Sequence, residues 1–92
     1  MASIFIKKDG SKIPFNSEKI KQSIAAAAQE TELSEERKKE VVDQVTSMVL
    51  QMAGEREEIG ALEVKDKILQ ELDDIEPSVS KSWRDYDLEK NK

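Results

Sequence analysis

The 92-residue sequence contains no cysteine and no histidine. Disulfides, thiolate nucleophiles and the common zinc sites are thereby excluded, as is any mechanism that needs an imidazole base. With three glycines in all, there is no glycine-rich phosphate loop. No apolar run approaches the ~18 residues that a membrane span needs. The start, "MASIFIKKDG", lacks the layout of a signal peptide. A cytoplasmic protein without membrane contact is therefore expected. Positive charge is also scarce, with 15 Lys and Arg against 20 Asp and Glu and a net charge of −5. Nucleic-acid binding is not expected, because it draws on clustered cations that release counterions.

What is present reads as one folded domain over residues 1–92, ordered from about 3 to 90 with a frayed tail at 88–92. Leu, Ile, Val and Phe make up about a quarter of the chain, above the ~20% below which chains stay disordered. The charge is unevenly spread. Residues 1–21 hold Lys7, Lys8, Lys12, Lys19 and Lys21 against Asp9 and Glu18, a local +3 on a body that sums to −8. Two readings of those lysines stay open from charge alone. They can blunt an edge strand, or they can hold a small anion.

Asp9-Gly10 between two apolar runs predicts a hairpin closed by a two-residue type I′ turn. That register would face Ile6 with Ile13 and Ile4 with Phe15, and would put Phe5 beside Lys7 and Lys12 on the other side. Asn16 predicts the cap of a first helix, with Phe15 and Ile20 as its hydrophobic staple and Ile24, Ala27 and Ala28 on its inner face. Ser34 predicts the cap of a second, whose buried stripe is Val41, Val42, Val45, Met48, Val49 and Met52, ended by Gly54. "EREEIG" reads as a short strand. A third helix over Leu62–Asp74 would bury Val64, Ile68, Leu69 and Leu72. Pro77 suits the first turn of a fourth, with Val79, Trp83 and Tyr86 inside. The outline is α+β and mostly helical: a small four-helix bundle capped by a β-hairpin and a short third strand.

Few chemistries survive this composition. Glu57-Glu58 and Asp73-Asp74 are adjacent pairs that cannot share a helix face as a two-carboxylate site would require. No calcium-loop pattern is present, and the serines have no histidine to activate them. No catalytic or metal site is expected. Phosphate binding remains open, because Lys7 and Lys8 precede the turn while Asn16 and Lys19 open the first helix.

"KKDGSKIPFNSEKIKQSIAAA" resembles the opening of the ATP-cone domain. The matching positions are Lys7, Lys8, Asp9, Gly10, Pro14, Phe15, Asn16, Lys19 and Ile20. "IGALEVKDKILQEL" and "PSVSKSWRDY" are similar to the family's later parts, so the resemblance spans about Ser3 to Lys90 and implies a cone standing by itself. The family's domain is a regulatory nucleotide-binding module of ribonucleotide reductases and of a transcriptional repressor of their genes. It binds ATP or dATP without hydrolysis.

The resemblance implies phosphate contacts from Lys7 and Lys8, nucleotide contacts from Asn16 and Lys19, an adenine wall at Ile20, and a further phosphate contact from Lys90. It also implies ATP or dATP as ligand, magnesium as a candidate companion of the phosphates, and a reductase or its regulator, or a second copy, as candidate protein partner. Two positions depart from the family pattern: Ile13, where many members carry a polar or acidic residue, and Ala61, where Ser or Thr commonly opens the third helix. They motivate an alternative, a degenerate cone that serves as a protein-interaction domain without nucleotide.

Overall fold

The computed structural model describes residues 3–90, with side chains described through Asp85. The expected burial of Tyr86 and the site role of Lys90 concern side chains beyond those described, and of the tail expected to fray, 88–90 close α4 while 91 and 92 lie outside the described residues. The chain runs β1 (Ile4–Ile6), β2 (Lys12–Pro14), α1 (Ser17–Gln29), α2 (Glu35–Gly54), β3 (Glu58–Gly60), α3 (Ala61–Ile75) and α4 (Pro77–Lys90). That is the order read from the sequence. In the three-stranded sheet β1 is central, antiparallel to β2 and parallel to β3.

The hairpin corrects the expected register by one residue: Phe5 faces Ile13 and Ile6 faces Lys12. The Lys7 amide donates to the Ser11 carbonyl (2.8 Å) and the Gly10 amide to the Lys7 carbonyl (2.9 Å), so the loop is Lys8-Asp9-Gly10. A type I′ turn needs positive φ at both central residues. Here only Gly10 takes it, at 88°. Asp9 instead accepts from the Ser11 amide at 2.9 Å and hydroxyl at 2.7 Å. These Ser11 bonds, the hydroxyl's first, hold the Asp9 carboxyl below its ordinary value. A three-residue loop with a left-handed glycine is the hairpin that results.

The slip reverses the facing of β1 relative to β2. Phe5 and Ile13 lie in line with fully buried Ile59 across the sheet, on the side packed against the helices. Ile4, Ile6 and Lys12 lie on the other side, so the expected grouping of Phe5 with Lys12 does not form. On that outer side Lys12 Nζ reaches over β1 to Glu58 Oε1 at 3.1 Å.

The helices follow their sequence signals. Asn16 accepts the Glu18 amide at 3.0 Å and Ser34 the Arg37 amide at 3.1 Å, each satisfying an amide that the helix start leaves unpaired. α1 buries Ile20, Ile24, Ala27 and Ala28, as expected. α2 buries its four valines with Thr46 and Ala53, whereas Met48 and Met52 are only half-buried. α3 buries Val64, Ile68 and Leu72, with Leu69 half-buried. Val79 of α4 is fully buried.

Ionic links tie the helices together from outside, two of them at α4. Arg37 of α2 donates to Glu76 Oε2 at 3.1 Å and to the Ile75 carbonyl at 2.9 Å, at the α3–α4 corner. Arg84 of α4 grips Asp73 of α3 through both carboxylate oxygens, at 3.0 and 2.8 Å. The Arg84 bonds first, and the Ser80 hydroxyl after them, lower the Asp73 carboxyl from 3.8 to about 2. A carboxyl whose folded pKa is depressed contributes stability above its unfolded pKa and loses it as pH falls through the folded value. Asp73→Asn is therefore expected to lower the melting temperature slightly at pH 7. It should also flatten the decline between pH 3.8 and about 2. Thermal melts followed by circular dichroism across that window check this. An unchanged acid slope would mean that the pair contributes nothing.

Candidate functional site

A cleft of about 260 Å³ opens where the hairpin, the start of α1, the start of α3 and the middle of α4 meet. Its apolar walls are Phe5, Ile13 and Pro14 from the hairpin, Ile20 from α1, and Val64 and Ile68 from α3. The corrected register is what brings the Phe5–Ile13 pair to this inner side. Trp83 of α4 completes the wall.

The charged residues of the lining are all lysines: Lys8 from the loop, Lys19 from α1 and Lys65 from α3. Among the described residues no carboxylate lines the cleft. Lys12 and Lys21, the other lysines of the segment, are engaged with Glu58 (3.1 Å) and Asp43 (3.6 Å). Lys8 and Lys19 form no ion pair among the described residues. Their charge is uncompensated at the mouth of an apolar cleft, where an anion gains most from it.

Two helices also begin here. Asn16 caps α1, and Ala61 is the first residue of α3. Gly60 stands at the α3 cap and makes no side-chain hydrogen bond, so the first amides of that helix are not satisfied by its cap residue. Helix N-termini carry partial positive charge and favour anions nearby. The arrangement can thus hold a flat apolar group between Phe5, Ile13, Ile20 and Trp83, with an attached polyanion along Lys8 and Lys19.

Of the six site residues expected from the sequence, Lys8, Asn16, Lys19 and Ile20 come together in this cleft. Lys7 is exposed beside the turn and does not belong to the lining. Lys90 is the last residue of α4, and its side chain lies beyond those described. Sequence reasoning did not place Phe5, Lys65 or Trp83 at the site. A signal for Lys65 was present, since Ala61, Val64, Lys65 and Ile68 recur at one-face helical spacing. Phe5 was hidden by the register. Trp83 is half-buried, and its Nε1 is buried with no hydrogen-bond partner among the described residues, a state that costs about 1–3 kcal/mol.

The structure is thus a helical bundle topped by a small sheet, with a lysine-lined apolar cleft beneath its hairpin. The sequence profile of the ATP cone domain matches residues 4–91, and the chain belongs to that family. ATP-cone domains are nucleotide-binding regulatory modules and are not themselves catalytic. A search of curated proteins finds no match.

Proposed function

We propose that the chain binds ATP or dATP in the cleft beneath the hairpin and reports its occupancy to a protein partner, without hydrolysing the nucleotide. One observation carries this reading: in a chain of net charge −5, the charged residues of the cleft are, among the described residues, lysines only. The adenine lies between the hairpin and Ile20, Asn16 engages the nucleotide at the head of α1, and the phosphates run out along Lys8 and Lys19. Lys7, beside the same turn, and Lys90 reach the outer phosphates. The cleft is slightly smaller than the ~300 Å³ at which ligand pockets usually begin. It suits the base and sugar, leaving the phosphates at the rim. Any magnesium is carried by the phosphates.

The partner is a ribonucleotide reductase or its regulator, or a second copy of the chain, in the cytoplasm. A ligand that neutralises Lys8 and Lys19 changes the field this end presents and shifts the equilibrium between partner-bound states. The competing reading is a cone that binds protein alone, which the apolar Ile13 and Ala61 in the cleft favour.

Titration of the ¹⁵N-labelled protein separates them. ATP and dATP are expected to move the amides of Lys8, Asn16 and Lys19. AMP, lacking two phosphates, should bind at least about tenfold more weakly, since hydrogen bonds to charged groups contribute ~1.5–3 kcal/mol each. If millimolar ATP leaves those amides in place, the protein-interaction reading stands.

A further inference from the structure

The nucleotide cleft has a neighbour. An open groove of about 1440 Å³ runs between α1 and α4 and is bounded at one end by the Thr31–Leu33 connection. The two concavities share Lys19, Ser23 and Trp83 in their linings. The indole is therefore a wall common to both.

Three features define how that wall is held. Trp83 is half-buried rather than locked in the core. Its Nε1 is buried with no acceptor among the described residues, so no hydrogen bond there fixes the ring. The backbone beside it is held: the neighbouring Ser82 hydroxyl donates to the Ala27 carbonyl of α1 at 2.8 Å. The side chain, not the helix, is the element free to respond. A purine brings an aromatic face for the indole and ring nitrogens that accept a hydrogen bond. A small turn of the ring toward the cleft satisfies the stranded N–H.

We propose that Trp83 contacts the base of the bound nucleotide and that, being also a wall of the α1–α4 groove, it transmits occupancy of the cleft into the shape of that groove. The inference rests on the nucleotide-binding reading above and extends it.

The chain has one tryptophan, so it gives one indole N–H resonance. ATP is expected to shift that resonance together with the amides of Thr31, Leu33 and Ser82, all with the dissociation constant read at Lys8 and Lys19. Inorganic tripolyphosphate, which lacks a base, should shift Lys8 and Lys19 and leave the indole still. Trp83→Ala should weaken ATP about 5- to 100-fold, the range of one base–aromatic stack, with tripolyphosphate affinity unchanged. Trp83→Phe, which keeps an aromatic wall in the fold, should retain most ATP affinity. Shifts at Lys8 and Lys19 with a silent indole overturn this proposal alone. Equal indole shifts with tripolyphosphate also overturn it. No shift with either ligand removes the nucleotide reading and this inference together.

Discussion

Replacing Lys8 and Lys19 together by alanine is expected to weaken ATP binding about 30- to 1,000-fold while leaving the fold intact. Hydrogen bonds to charged groups contribute ~1.5–3 kcal/mol each, and solvent reduces that for exposed side chains. A combined loss of about 2–4 kcal/mol follows, and each 1.4 kcal/mol is tenfold in affinity. Both residues are exposed and unpaired among the described residues, so their removal should change stability by no more than ~0.5 kcal/mol. Isothermal titration and a thermal melt on the same sample read both quantities.

The informative control is Lys12→Ala with Lys21→Ala. It removes the same charge from the same segment, but these lysines are bound to Glu58 and Asp43 and stand outside the cleft lining. If a diffuse field attracted the nucleotide, both double variants would lose affinity alike, and both losses would fade with salt. Contact at the cleft predicts that only the first pair matters. Equal losses would move the phosphates away from Lys8 and Lys19.

The helices were legible in the sequence because their signals are local. Asn16 and Ser34 are strong caps, Pro77 suits a first turn, and the apolar residues of α1 and α2 recur at one-face spacing. The hairpin was legible as a hairpin but not in register. Asp9-Gly10 fits both a two-residue and a three-residue loop, and the choice fell to bonds that Asp9 makes with Ser11 rather than to the dipeptide. That one-residue difference decides whether Phe5 belongs to the outer surface or to the cleft.

The parallel pairing of β3 with β1 joins residues more than fifty positions apart, which no local pattern encodes. The site was legible in part for the same reason. Lys8, Asn16, Lys19 and Ile20 fall within one short segment, whereas Lys65 and Trp83 arrive from α3 and α4 only when the bundle closes. Ile59 joins the core through the sheet and was likewise invisible as a buried residue.

Ile24→Ala is expected to cost far more stability than any substitution at the rim of the cleft. Ile24 is fully buried in α1, one turn beyond Ile20, and belongs to the central apolar cluster. Truncating a buried isoleucine to alanine costs about 2–5 kcal/mol, with the higher values where the surroundings cannot collapse into the cavity. A chain of this size has only about 5–14 kcal/mol in total. At ~4–8 °C per kcal/mol, the melting temperature should fall by at least about 8 °C. Leu62→Ala is the contrast, since that side chain is 63% exposed and should cost little.

Ile24 does not line the cleft, so the folded fraction of the variant should bind ATP with unchanged affinity. Ligand that binds only the folded state adds ~2.7 kcal/mol at a hundredfold excess over Kd. Saturating ATP should therefore recover a large share of the lost melting temperature in Ile24→Ala. The same ATP should barely raise the melting temperature of Lys8→Ala with Lys19→Ala, where the fold is sound and the grip is gone. A rise in both, or in neither, would break the separation between the packing that builds the cleft and the cations that fill its rim.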